Sequence, residues 1–294
     1  MKIIDILKSG QPTLSYEVFP PKTDAAYEPL LENVREIAAL QPDFMSVTYG
    51  AGGGTSEYTV AIADAIQMEF QVPALAHFTC VSSNRATIQA QLKKIKDAGI
   101  ENVLALRGDL PEGTDWSQAE FKYASDLVEI IREAGDFCIG GACYPEGHTE
   151  SANSREDILN LKKKVDAGCQ FLTTQMFFDN NILYNFLYKI REQGITVPVV
   201  AGIMPVTNGK QIARICKLSG TYLPARFKAI VDKFGDDPKA MTQAGIAYAT
   251  DQIIDLIANG VNGIHVYSMN TPEGARQIQA NLSHIVGPDG KTVC

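Results

Sequence analysis

Short apolar runs alternate with stretches of helical spacing from one end of the 294-residue chain to the other. The runs that read as strands are 14–19, 44–49, 74–80, 103–107, 137–144, 171–178, 199–204 and 263–269. Between them, Ala124, Leu127, Val128 and Ile131 fall at i, i+3, i+4 and i+7 on one helical face, and Ile88, Leu92 and Ile95 repeat that spacing more briefly. Ser154 followed by Asp157 resembles a capping box that opens a further helix. Gly99, Gly135, Gly168, Gly194 and Gly260 each follow a helical stretch and precede a strand, as a left-handed helix-ending residue would.

Repeated helix, glycine, strand units imply parallel strands joined by crossovers. Eight of them predict a closed (β/α)8 TIM barrel, whose usual size is about 250 residues. One misfit lies between Gly194 and Gly260, where a single strand is followed by 219–239, read as an extra helical insertion before the last strand. A doubly wound open sheet has the same alternation and stays open as the alternative. No proline-rich or charged linker interrupts the chain, so residues 1–294 are expected to form one domain.

Composition narrows the function class. Against 34 acidic residues stand 26 basic ones, a net charge of −8, whereas a protein that neutralises nucleic-acid phosphates needs a basic excess. No run approaches the roughly 20 apolar residues that span a bilayer, and MKIIDILKSG lacks a signal-peptide core. Cysteines 80, 138, 143, 169, 216 and 294 form no CxxC pair and read as reduced thiols. The expectation is a soluble, cytoplasmic protein without nucleic-acid or membrane partners.

In a barrel, chemistry gathers where the strands end. Alternation in SYEVF puts Ser15, Glu17 and Phe19 on one face, so that Glu17 points inward if the apolar set packs on the helices. A buried carboxylate is costly and tends to hold a proton, which would raise its pKa; a plainer reading pairs it with a cation. Arg107 and Asp109 flank Gly108 just past the fourth strand, where they form either a site or a surface ion pair. SVTYGAGGGTS is glycine-rich but is neither GxGxxG nor a P-loop. His77 sits in an apolar strand, and Tyr144, Glu146 and His148 follow the fifth, without metal-site spacing. Gln175 has an amide suited to a heterocycle or to backbone. Lys162, Lys163 and Lys164 form a basic run that reads as a solvated face or a phosphate contact.

Taken together, SYEVFPPKT, FMSVTYGAGG, AHFTC, LALRGDLPEG, YASDLV, CYPEGH, LNLKKKVDAG, TTQMFFD, IMPVTNGKQ and HVYSMN resemble the methylenetetrahydrofolate reductases of bacterial type, in family order and over nearly the whole chain. The resemblance implies a barrel that binds FAD without a Rossmann motif. Its implied cofactor contacts are Thr48, Tyr49, Ala51, His77, Arg107, Gly108, Asp109, Tyr123, Ala124, Tyr144, His148, Asp157, Asn160, Lys163 and Lys164. It implies a ping-pong reaction: NADH or NADPH gives a hydride to the flavin, which passes it to 5,10-methylenetetrahydrofolate to make the 5-methyl product used in methionine synthesis. Glu17 matches the general acid, Asp109 the carboxylate near flavin and pterin, and Gln175 and Gln211 the substrate contacts. A homo-oligomer and no metal are expected.

One departure is Thr271, where the family commonly has an Arg after the Asn for the folate tail; Arg276 or a lysine is a candidate substitute. The chain also stops soon after the barrel, so the S-adenosylmethionine-binding region of eukaryotic relatives is not expected. A proline-dehydrogenase-like flavin barrel, a folate-binding methyltransferase barrel and a non-catalytic binding protein are the rival readings.

Overall fold

In the computed structural model, strands β1 (Thr13–Val18), β2 (Phe44–Val47), β3 (Ala74–Thr79), β4 (Asn102–Leu106), β5 (Cys138–Cys143), β6 (Phe171–Thr174), β7 (Val199–Ile203) and β8 (Gly263–Tyr267) close into a barrel in sequence order. Every neighbouring pair is parallel, and β8 returns to β1 with Ser15 opposite His265 and Glu17 opposite Tyr267. The predicted closed barrel is therefore present and the open-sheet alternative is not. Residues 1–49, 56–81, 83–109 and 119–286 are described.

Helices α1 (Ile3–Leu7), α2 (Tyr27–Ala38), α3 (Ser56–Phe70), α4 (Arg85–Asp97), α5 (Ala124–Ala134), α6 (Ser154–Ala167) and α7 (Asn180–Glu192) precede β7; α8 (Gly209–Ser219), α9 (Ala225–Phe234) and α10 (Pro238–Ala258) lie before β8; α11 (Pro272–Asn281) and α12 (Ser283–Val286) follow it. No helix among the described residues is long and apolar enough to cross a membrane.

Period-two alternation splits each strand between two cores. Outward residues such as Tyr16, Val18, Phe78, Ala105 and Val266 pack with Leu127, Val128 and Ile131 of α5 and with Ile88, Leu92 and Ile95 of α4. Inward residues Phe44, Leu75, Leu104, Cys138, Phe171 and Val200 fill the barrel floor, where Ile3 and Ile4 of α1 plug it from below. Asn102 fixes that plug, accepting from Ile3 N at 2.8 Å and donating to the carbonyls of Met1 and Ala74 at 3.1 Å each. With its lower half packed by apolar side chains, the barrel keeps only its carboxyl-end mouth for polar groups.

Several local expectations shift. The sixth strand stops at Thr174 rather than at 178, because the Gln175 side chain folds back to accept from Met176 N at 2.9 Å while Phe177 and Phe178 turn outward into the cores around the barrel. The cap of α6 is Asn153, whose carboxamide accepts from Glu156 N; Ser154 is already helical, and Asp157 instead accepts from Ser151 Oγ at 3.0 Å. Gly99, Gly194 and Gly260 take the left-handed φ values of +69°, +75° and +83°, whereas Gly135 at +158° is nearly extended and Gly168 stands at +137°.

The predicted insertion contains α9, but its helical content starts earlier, with α8. These helices rest on a cluster of their own: Met176, Phe178, Val206, Ile212, Phe227 and Met241. Phe227 lies between Phe178 and Tyr248, with ring centroids 5.0 and 4.2 Å away. Gly245 of α10 is pressed so closely on this region that a Cβ there would sit 1.9 Å from the Val206 carbonyl oxygen. Alanine normally outranks glycine inside a helix by up to about 1 kcal/mol. Here the backbone clash reverses the sign, so Gly245→Ala is expected to cost about 3 kcal/mol or more. Gly274→Ala on α11, where a Cβ meets nothing within 4 Å, is expected to be neutral to stabilising. Denaturant midpoints of the two variants, which should move in opposite directions, check this.

Candidate active site

Glu17 is the next-to-last residue of β1, and its side chain points into the barrel, 19% exposed at the mouth. Three neighbouring strands aim polar side chains at it. Ser46 of β2 donates its hydroxyl to Glu17 Oε2 at 3.4 Å; His77 Nε2 of β3 lies 3.4 Å and His265 Nε2 of β8 3.7 Å from the same oxygen. His265 is fixed on both sides. Its Nδ1 is 2.7 Å from Ser15 Oγ, its Nε2 is 3.0 Å from Ser46 Oγ, and its ring stacks on Phe44 at 5.7 Å and 12°. The parallel register produces this group directly, since inward positions of β1, β2, β3 and β8 stand side by side.

Burial and charge compete at Glu17. Burial pushes the carboxyl up, but the His265 contact, the charges of His77 and His265 and the Ser46 hydroxyl together hold it below its ordinary value. The raised pKa expected from the sequence is thus corrected for the open pocket: the sequence reading had the apolar surroundings but not the two imidazoles. Burial lowers His77 to about 4, with Glu17 opposing and His265 adding, so His77 is neutral near pH 7. Its Nε2 is buried and makes no hydrogen bond within the described protein. Tyr267, whose hydroxyl donates to the Thr174 carbonyl at 2.7 Å, is held protonated by burial and by Glu17. Gly202 leaves room for it, because a Cβ there would stand 2.4 Å from the Tyr267 hydroxyl.

A second group lies at the ends of β4 and β5. Arg107 does not pair with Asp109; its guanidinium makes a two-pronged contact with Glu150, one arm at 2.7 Å. That leaves Asp109 exposed at the strand end, beyond Gly108, whose φ of +88° and contacts with Val81 and Thr79 leave no room for a Cβ. Tyr144 and His148 meet edge to face at 4.6 Å. The Tyr144 hydroxyl is pushed up to about 12, chiefly by burial, with Cys143, Asp157 and Asp109 adding and Arg107 opposing. Below them, the Lys164 ammonium donates to the Ala142 carbonyl at 2.6 Å and is pulled below its usual value by burial. Of the basic run, Lys164 therefore turns inward, while Lys162 pairs with Asp166 and Lys163 reaches Asn160 on the exposed face.

Glu17 and His77 thus share one cluster, and Arg107, Gly108, Asp109, Tyr144 and His148 lie at the ends of β4 and β5, with Asp157 on α6 and Lys164 packed behind them against the outward face of β5 beside Gly141. Thr48 follows β2, its carbonyl accepting from Thr59 Oγ1. Tyr49 turns away from the mouth: its ring meets Phe78 and its hydroxyl donates to Gln91 on α4. Ala124 is buried at the start of α5 beside an exposed Tyr123; Gln211 is exposed on α8 and Gln175 is engaged with its own backbone. Ala51 lies outside the described residues. Arg276 is committed to Glu273 and Glu36, so the candidate substitute for the missing tail arginine is held on the flank by α2. Asn270 ties the β8 end to β1 through both backbone groups of Phe19. Among the described residues no group of three His, Cys, Asp or Glu side chains is arranged for a metal ion.

Sequence reasoning missed Ser46, His265 and Glu150. The first two were legible in principle, because the alternation that turns Glu17 inward also turns in the Ser of FMSV and the His of GIHVY. Glu150 carried no such signal, being a loop residue defined by its partner.

The methylenetetrahydrofolate reductase family model matches residues 2–283. The chain is 35% identical over 264 residues to the 5,10-methylenetetrahydrofolate reductase of Escherichia coli, covering 90% of this chain and 88% of that one. It is 38% identical over 275 residues to methylenetetrahydrofolate reductase 1 of Schizosaccharomyces pombe, covering 92% of this chain and 46% of the yeast protein. It spans about half the length of the yeast and plant relatives it matches. Among solved structures, an uncharacterized protein from Clostridium thermocellum that binds two copies of 5-methyl-5,6,7,8-tetrahydrofolic acid aligns over 97% of this chain and 100% of its own, with a TM-score of 0.65 at 14% identity, which speaks for the fold alone. With its family model matched from end to end of the barrel, the chain belongs to the methylenetetrahydrofolate reductase family.

Proposed function

We propose that this chain reduces 5,10-methylenetetrahydrofolate to 5-methyltetrahydrofolate, taking electrons from NADH or NADPH through a non-covalently held FAD. The observation that carries the reading is the inward carboxyl of Glu17, set in a polar cluster at the mouth of a barrel whose floor is packed shut. Family membership gives the substrate class.

The residues present fit a flavin nucleotide. The buried His77 Nε2 lacks a hydrogen-bond partner, as a group completed by a ligand would. Gly108 brings bare backbone to the rim, and Tyr144 and His148 supply an aromatic pair beside it, with Asp157 and Lys164 behind them. When bound, FAD supplies a two-electron carrier between nicotinamide and folate. The protein's own work is positional and acidic. Opening the five-membered ring of the folate requires a proton on the departing nitrogen, and Glu17 is the inward acid that can deliver it. Asp109, a carboxylate at the strand end, stabilises the cation that opening creates.

Visible spectra of the pure protein with FAD test this. The flavin band should bleach anaerobically with NADH or NADPH and return on adding methylenetetrahydrofolate. Protein that takes up no flavin, or whose flavin neither nucleotide bleaches, would overturn the reading. Reoxidation by a substrate other than the folate would point to a different flavin barrel.

A further inference from the structure

Ser15, His265 and Ser46 form with Glu17 a continuous chain of hydrogen-bonding side chains. Ser15 Oγ donates to the Ile264 carbonyl at 2.8 Å, so in its 2.7 Å contact with His265 Nδ1 it accepts, and Nδ1 keeps its hydrogen. Nε2 is then the nitrogen that gains or loses a proton. Ser46 Oγ stands between Nε2, at 3.0 Å, and Glu17 Oε2, at 3.4 Å, so it can accept from a protonated Nε2 while donating its own hydrogen to the carboxyl. His265 is buried, its side chain 2% exposed against 19% for Glu17, so water reaches the chain at the carboxyl end.

We infer that Glu17, Ser46 and His265 share one proton, which His265 stores while the mouth is open and Glu17 receives when a bound folate seals it. This rests on the functional reading above and deepens it: His265 and Ser46 act through Glu17 as positioning residues and do not touch substrate.

The physical reason is the competition between charge and solvent. With water at the mouth, a carboxylate beside an imidazolium is tolerable, and the His265 contact favours the ionised form of the carboxyl. Sealing removes the water, and an ion pair in a dry site costs more than the neutral acid and neutral base. The step balances within the protein. The Nε2–H bond of His265 breaks as Ser46 Oγ takes that proton, and the Ser46 hydroxyl proton passes to Glu17 Oε2. Glu17 then gives its proton to the departing folate nitrogen. Once product leaves, water at the mouth recharges the chain through Glu17.

The other groups facing the cluster do not compete. His77 is neutral around pH 7, Tyr267 stays protonated, and the remaining neighbour of the His265 ring is Phe44.

A shared proton belongs to the pair, and removing one partner must move two titrations in opposite directions. In His265→Gln the infrared band of the protonated Glu17 carboxyl, identified by its loss in Glu17→Gln and read on protein without folate, should appear at a pH about one unit higher than in the wild type. On the same variant, the alkaline limb of the folate half-reaction, followed by stopped-flow reoxidation of reduced flavin, should move about one unit lower. Ser46→Ala should slow that half-reaction while leaving both His265 and Glu17 in place. Simple damage to the fold would lower the rate at every pH without moving either midpoint, and that result, or two midpoints unchanged, overturns the inference. A wild-type protein with no folate half-reaction would strike the functional reading instead, and the infrared titration would still decide whether the proton is shared.

Discussion

Replacing Glu17 by Gln is expected to slow folate-dependent flavin reoxidation by about 10²–10⁴-fold, the usual worth of a positioned general acid. Flavin reduction by NADH or NADPH should change far less, because hydride transfer from the nicotinamide needs no proton at the folate nitrogen. Glutamine keeps the size of the side chain and can still accept from the Ser46 hydroxyl, so the cluster of Ser46, His77 and His265 need not collapse around it. Stopped-flow traces of the two half-reactions, recorded separately on one preparation, are the measurement. Equal losses in both would remove Glu17 from the acid's role and leave it a structural residue of the mouth.

Asp109→Asn is the second large expectation, with a different signature. An ionised carboxylate near a developing cation stabilises it through space, and removing one such preorganised group from a buried site costs about 10²–10³-fold. Asp109 is exposed, so water screens part of that effect and a loss of about 10–10²-fold in the folate half-reaction is expected. Flavin affinity, read by fluorescence titration, should move less than the rate, since Arg107 keeps its two-pronged contact with Glu150. Folate kinetics unchanged in the variant would take Asp109 out of the chemistry.

How much of this could be read before any coordinates follows from which forces are local. Eight strands in repeated helix, glycine, strand units pointed to a barrel but left an open sheet as the alternative, while the buried faces of α4 and α5 announced themselves at helical spacing. The inward turn of Glu17 came from the same alternation. Its electrostatics did not, because the two imidazoles come from β3 and β8, one 60 residues and the other 248 residues along the chain from it. No local pattern encodes that His265 stands across from Ser15; only closing the barrel brings the last strand to the first. The Arg107 partner was illegible for a related reason: Asp109 is its neighbour in sequence, but Glu150, on the loop after β5, meets the guanidinium in space. The motif resemblance named Tyr49 and Gln211 as site positions, but could not say that the Tyr49 ring faces α4 or that Gln211 is exposed on a helix.

The apolar cluster under α8 and α9 bears on how such a barrel can diversify. Glu17 and its polar neighbours stand on β1, β2, β3 and β8, while the inserted helices are anchored by Phe227, Ile212 and Met241 on a base that meets the barrel through Met176, Phe178, Val206 and, on β8, Tyr267. Sequence drift on the outer surfaces of those two helices can therefore proceed while the Phe227 base stays fixed, with Tyr267 the strand residue through which a change in that base would be felt beside Glu17.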